Sequence, residues 1–194
     1  MLVIDFVVPA HNEEATIGPV VTAIRRSQSA GQVLVVADAC TDDTPAAAME
    51  AGATVILIDA HNKGSAMATG LEYVQTPRVG FSDGDLSGLQ PAHIDALAAT
   101  PADTMAVGVR DTTTRLTMFP PIGGERVLPT RVALAADLFG ATYMAEMQLA
   151  AAARKLGVPT VDVRLRGLRH PGRVYRHPTL WLDLAAGWLT YLGA

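Results

Sequence analysis

Two aspartates flanking a single glycine, Asp83-Gly84-Asp85, are the residues whose types and spacing point most directly to chemistry. On a turn, carboxylates two residues apart can face one volume, where their mutual repulsion is costly. A divalent cation removes that cost, and hard oxygen ligands suit Mg2+ or Mn2+. Such an ion also takes diphosphate oxygens and stabilises the charge that builds on a departing diphosphate. Asp-Gly-Asp is equally an ordinary turn sequence, so its position has to decide.

That position is the end of an apolar run at 78–81, the fourth of four such runs. The others, at 3–8, 33–37 and 54–58, are also followed by polar corners: Pro9-Ala10-His11-Asn12-Glu13-Glu14, Asp38 with the polar residues up to Thr44, and Asp59-Ala60-His61-Asn62-Lys63-Gly64. In an open parallel sheet, ligands bind beyond the carboxyl ends of the strands. Generic connections would be short and plain, so four loaded corners favour one shared site. Asp38 could accept from an imide or amide nitrogen of a nucleobase, or cap the next helix, as could Thr41 or Asp42. Lys63 and Gly64 stand where the chain turns into a helix, a place suited to anions. Lysine there is otherwise a solvated surface residue.

The runs alternate with helical segments, which implies a parallel sheet with right-handed crossovers. The runs are apolar throughout, as suits a sheet covered on both faces. Helices are expected over 13–27, with Asn12 capping and Gly31 closing it, from 42 or 44 with Pro45 in the first turn, and over 65–74. Beyond Asp83 the pattern gives a helix at 91–98 and a strand at 105–109. A long loop follows at 111–126, then helices near 131–139 and 144–156, a strand at 158–165 and a last helix at 180–192. Loops of that length are usually functional.

No Gly-x-Gly-x-x-Gly follows the first run and no Gly-x-x-x-x-Gly-Lys-Ser/Thr occurs, which argues against dinucleotide-binding and P-loop readings. Five scattered histidines and the single Cys40 give no zinc spacing. One cysteine also forbids an intrachain disulfide and fits a reducing compartment. Net charge is −4, so no nucleic-acid partner is expected. Composition, at 49% hydrophobic and 18% charged, is globular. The opening residues lack the features of a secretory leader, and no apolar run reaches the ~20 residues that cross a bilayer. The expected location is cytoplasmic. The apolar end with Trp181, Trp188 and Tyr191 either packs as a terminal helix or makes peripheral contact with the inner face of a membrane.

The corners resemble family-two glycosyltransferases of the GT-A type. Val7-Val8-Pro9-Ala10-His11-Asn12-Glu13-Glu14 resembles their "PAYNEE" opening, and the segment from Val35 to Thr44 their "VVDDGSTDGT". Asn62-Lys63-Gly64-Ser65-Ala66 is similar to "NKGKGAALNTG", and Phe81-Ser82-Asp83-Gly84-Asp85 to the "DAD" metal motif. Four motifs in order over about ninety residues are a specific match. The resemblance implies a Rossmann-like three-layer α/β/α GT-A fold with a central mostly parallel sheet, a nucleotide-sugar donor (UDP- or GDP-linked), a divalent cation and inversion at the anomeric carbon. Pro9, Ala10, Asn12 and Glu14 would line the nucleotide pocket, Asp38 would contact the base, and Lys63 would lie near the donor. Asp83, Gly84 and Asp85 would hold metal and diphosphate, with Asp85 counted as catalytic. Ala37 stands where the family often has another aspartate, and Cys40 replaces its usual glycine or serine surroundings.

In the second half, Gly124-Glu125-Arg126 followed by Ala145-Glu146 resembles a region of the polyprenyl-phosphate sugar transferases, where an acidic residue faces the acceptor. Transfer to a hydroxyl needs a general base, for which Glu146 is the candidate against an exposed helical glutamate; a phosphate acceptor needs none. Arg164, Arg166, Arg169, His170, Arg173, Arg176 and His177 form a basic stretch whose sign opposes the overall charge. His170-Pro171-Gly172-Arg173 resembles the relatives' "HRxxGxS" close, so Arg173 is expected at phosphate and His170 as a third metal ligand.

The expectation is one domain over 1–194, with a nucleotide-sugar-binding half at 1–90 and an acceptor half at 91–194. The acceptor stays open among polyprenyl phosphate, a small metabolite, a glycan or a protein, and a homodimer is compatible with the chain. Two other readings stand beside it: a nucleotidyltransferase acting on a sugar phosphate, which normally carries a glycine-rich signature absent here, and a non-catalytic nucleotide-sugar binding module.

Overall fold

The computed structural model describes residues 3–111, 123–139, 141, 145–170, 189 and 191–193. The apolar runs become β1 (Ile4–Ala10), β2 (Ala30–Asp38), β3 (Thr54–Ile58) and β4 (Arg78–Phe81). Between them lie α1 (Glu14–Arg25), α2 (Thr44–Glu50) and α3 (Lys63–Leu71). Then come α4 (Pro91–Ala98), β5 (Met105–Arg110), β6 (Arg126–Pro129), α5 (Thr130–Leu134), α6 (Ala145–Lys155) and β7 (Thr160–Leu165). Among the described residues these strands form one sheet in the order β3-β2-β1-β4-β6-β5-β7. Only β6 runs antiparallel to its neighbours. The result is the expected mostly parallel sheet between two helical layers.

Strand alternation builds both layers. Ile4, Phe6 and Val8 of β1, with Val33 and Val35 of β2, face one core beneath α1 and α4. Val7, Leu34 and Val36 face the other, beneath α3 and α6. Small residues set the close approaches. Gly80 of β4 is the register partner of Phe6, and a methyl group there would overlap the Phe6 ring. Gly70 lets α3 settle onto Val7 and Val36.

Several expectations need correction. Asn12 does not cap α1; it adopts φ 55 and its Oδ1 accepts from the Thr41 amide at 2.8 Å. The first α1 amides go instead to the second corner: Glu13 N to Thr44 Oγ1 at 2.6 Å and Glu14 N to Asp42 Oδ2 at 3.2 Å. Gly31 lies inside β2 and does not close α1, which ends at Arg25 with Arg26 as its C-cap. The strand β6 begins at the end of the segment read as loop, because Arg126 is charged yet wholly buried. Helix α5 starts at Thr130 and stops at Leu134, short of the expected 139. Most of 180–192 lies outside the described residues. Of those described there, Tyr191 packs against the α6 side of the core, with Arg154 at 5.2 Å from its ring centre. Among the described residues no helix is long and apolar enough to cross a membrane.

Candidate active site at the carboxyl ends of the strands

Helix α3 begins directly after the third corner, capped by Asn62, whose Oδ1 accepts from Ser65 N at 3.0 Å. Lys63 is its first residue, where the helix dipole disfavours a positive charge. Carboxylates hold it there. Lys63 Nζ lies 2.7 Å from Asp83 Oδ1 and 2.6 Å from Glu146 Oε1. Asp83 leaves the end of β4, and Glu146 opens α6, 83 residues from Lys63 in sequence. Burial opposes a charged Lys63, yet Asp83 and Glu146 outweigh it and raise its pKa. Burial likewise opposes ionisation of Asp83, but Lys63, His170 and Arg110 hold its carboxyl below the ordinary value.

The second aspartate faces a histidine brought from the far end of the chain. Ser87 and Arg169 form an isolated antiparallel bridge. It sets His170 Nε2 3.2 Å from Asp85 Oδ1 and 3.7 Å from Asp83 Oδ2. Burial raises the pKa of Asp85; His170 opposes that rise, and Asp83 adds to it. Ligand atoms of Asp83, Asp85 and His170 all lie within 4.8 Å of one another. Two carboxylates and an imidazole so gathered could hold a divalent cation, and the imidazole leans toward manganese. Asp85 Oδ1 is buried and has, beyond the His170 contact, no hydrogen bond, which leaves it able to take a cation.

The nucleotide-side residues form the adjacent rim. Gly84 sits against Pro9 and Ala10, a methyl group there meeting Ala10 Cβ at 3.4 Å, so the ends of β1 and β4 converge. Asn12 and Glu14 tie the first corner to the second, Glu14 Oε2 accepting from Asp43 N at 3.2 Å. The Asp38 carboxylate accepts from the amides of Ala60, His61 and Asn62 at 2.7, 2.9 and 2.6 Å. It therefore anchors the third corner and does not cap α2. The His11 ring donates from Nδ1 to Asp38 O at 2.7 Å, since a carbonyl can only accept. Three non-glycine residues at these corners, Asn12, Ala39 and His61, have φ of 55, 50 and 51. Such left-handed strain tends to gather at functional sites. Arg173 lies outside the described residues. Within the described part of the basic stretch, Arg164 faces Asp111 at 4.0 Å, and Arg166 accepts from His93 through its carbonyl.

Three charged residues near the centre carried no expected role. Arg126 is buried, its Nε donating to Gly123 O at 3.1 Å and its Nη1 to Glu146 O at 3.1 Å, which fixes the start of α6. Glu125 is 1% exposed with neither carboxyl oxygen hydrogen-bonded. Burial, with Asp83 adding to it, pushes its pKa up to about 7. Arg110, whose charge opposes that rise, also has a buried Nη1 without a partner. The available signal was the Glu125-Arg126 pair leading straight into an apolar run.

A model of the family described as Glycosyl transferase family 2 matches residues 5–112. The 4,4'-diaponeurosporenoate glycosyltransferase of Staphylococcus aureus strain MRSA252 is 33% identical over 100 residues, 48% of this chain and 27% of that protein. The USA300 strain's protein is 31% identical over the same shares. The chain thus spans about a quarter of these relatives' length. Among solved structures, glucosyl-3-phosphoglycerate synthase from Mycobacterium tuberculosis in complex with Mg2+ and UDP gives a TM-score of 0.84 at 21% identity. The alignment covers 99% of this chain and 80% of that one. The same synthase with Mn2+, UDP-glucose and phosphoglyceric acid gives 0.83 at 21% identity, covering 99% and 80%. At such identity the likeness shows a shared GT-A fold.

Proposed function

Because the chain belongs to glycosyl transferase family 2, we propose that it moves one sugar from a UDP- or GDP-linked donor to an acceptor, with inversion at the anomeric carbon. The observation that carries this reading is one ammonium, Lys63 Nζ, joining Asp83 to Glu146 beside the Asp85–His170 pair. It joins a candidate cation site and a candidate base in one side-chain cluster at the strand ends. In this reading residues 1–90 form the donor half, with Asp83 and Asp85, and residues 91–194 the acceptor half, with Glu146, while His170 reaches back from the second half to the metal.

A cation held by Asp83, Asp85 and His170, Mg2+ or Mn2+, would stabilise the charge on the leaving diphosphate. Pro9, Ala10, Asn12, Glu14 and Gly84 line the donor rim, and Asp38 keeps the third corner folded against it. Lys63 lies 30% exposed, within reach of the same diphosphate. The bond from the anomeric carbon to the diphosphate oxygen breaks as one to the acceptor oxygen forms. The acceptor hydroxyl's proton passes to the Glu146 carboxylate, which must come within hydrogen-bond reach of it. Arg173 serves a phosphate on donor or acceptor.

UDP-glucose and a small phosphorylated acid lead the substrate panel, since the structural neighbour was solved with both kinds of molecule. Polyprenyl phosphate, a glycan and a protein complete the acceptor classes. The deciding experiment incubates the protein with a panel of nucleotide sugars, with and without Mn2+. The expected result is slow, metal-dependent hydrolysis of one donor. Nucleotide binding that needs no metal, with no turnover on any acceptor, would mark a binding module instead. Proton NMR of the product's anomeric coupling decides inversion.

A further inference from the structure

Resting on the proposed donor reading, we propose that Lys63 is an internal cation that makes metal and nucleoside diphosphate depend on one another for binding. The site gathers Asp83 and Glu146 around one lysine, with Asp85 and His170 on the far side of Asp83. Its ammonium already takes one oxygen of Asp83, at 2.7 Å, and one of Glu146, at 2.6 Å. The other Asp83 oxygen faces His170, so Asp83 stands between the lysine and the candidate cation site. A divalent cation bound there has a fixed positive charge as its near neighbour. Repulsion between such charges is strong where water is scarce, and Asp83 and Glu146 keep only 13% and 8% of their side-chain exposure.

The lysine can ease this repulsion by turning. Lys63 is the most exposed member of the group, and a diphosphate arriving with the metal offers it a new anionic partner. Asp83 Oδ1 is then released to the cation. Bare metal should therefore bind weakly, and metal with nucleotide should bind well. Linkage requires the nucleotide to gain from the metal by the same factor.

Direct phosphate–metal contact also couples the two ligands, so the experiment isolates the lysine's share. Mn2+ binding is measured by the EPR signal of the free ion, with and without UDP, with GDP run in parallel. The proteins are wild type, Lys63→Met and Lys63→Arg, with thermal melting to verify folding. Lys63→Gln replaces the methionine variant if that one melts early. In Lys63→Met the expected result is about tenfold tighter Mn2+ binding without nucleotide, and a metal–nucleotide coupling factor about tenfold smaller. Lys63→Arg keeps the wild-type pattern. Unchanged or weaker Mn2+ binding in folded Lys63→Met, or an unchanged coupling factor, overturns the inference while leaving the donor reading intact. A wild-type protein that takes neither Mn2+ nor nucleotide overturns both.

Discussion

Ser87 and Arg169 exchange two backbone hydrogen bonds, Ser87 N to Arg169 O at 3.0 Å and Arg169 N to Ser87 O at 2.9 Å. This bridge delivers His170 to the Asp83–Asp85 turn from more than eighty positions away in the chain. It depends on two glycines in the left-handed region, Gly88 at φ 78 and Gly167 at φ 79. A methyl group on Gly88 would meet the Gly167 carbonyl oxygen at 2.7 Å.

The bridge can therefore be broken without touching a candidate ligand. Gly88→Ala is expected to weaken Mn2+ binding in the presence of UDP by about 10- to 100-fold, the range for supporting residues around a metal. His170→Ala and Asp85→Ala remove ligands outright and should exceed that range. Asp85→Ala should abolish donor hydrolysis with the fold intact by circular dichroism. Full turnover in folded Asp85→Ala would remove the metal assignment.

Two glycines beside Asp83 predict opposite outcomes. A methyl group on Gly84 finds ordinary contacts at 3.4 Å with Ala10, Ile17 and Pro9, so Gly84→Ala should leave melting close to wild type. A methyl group on Gly124 would overlap the Asp83 carboxylate itself. Gly124→Ala should cost about 1–3 kcal/mol of stability, as overpacking does, and displace Asp83 from Lys63. A loss of hydrolysis of more than about tenfold is expected, larger than the stability change explains. Equal behaviour of the two variants would show that Asp83 is not held where the structure puts it.

Glu146 is tested through the chemistry of the acceptor. Glu146→Gln keeps the shape but cannot take a proton, and general-base loss typically costs about 10²–10⁴ in turnover. That loss is expected for a hydroxyl acceptor, with nucleotide binding retained. A phosphate acceptor brings its own anion, so with it the variant should keep turnover within about tenfold. Equal, severe loss on both acceptor classes would place Glu146 in holding Lys63 and not in proton transfer.

The corners of the candidate site were legible because their residues follow apolar strands in short, ordered segments. The strand at 78–81 alone places Asp83 and Asp85 at the carboxyl edge, and the bounds of β3, β4 and α4 follow the pattern to the residue. Asn12 misled because its type suits a cap, while its φ of 55 turns the side chain toward Thr41. The strand β6 escaped because Arg126 reads as surface, and only its bonds to Gly123 O and Glu146 O make burial affordable. The Lys63–Glu146 pair spans 83 positions and leaves no local signal. Glu125 was hidden for the same reason, since its burial depends on β4, β5 and β6 meeting.

Glu125 gives the last prediction, a pH dependence with a definite sign. Its folded pKa is about 7 against an ordinary 4.5, raised by burial and by Asp83. Between those values the folded chain keeps a proton that the unfolded chain has lost, so stability falls as pH rises from about 4.5 to 7. Glu125→Gln carries no such proton and should remove that fall. The variant is expected to match wild type near pH 4.5 and to be more stable at pH 8, by about 3 kcal/mol on the scale of 1.36 kcal/mol per pKa unit. The comparison uses urea melts of metal-free protein, since a nearby cation would favour the charged carboxylate and shrink the difference. A variant that is equally or less stable at pH 8 would show that Glu125 is charged and satisfied in the folded chain.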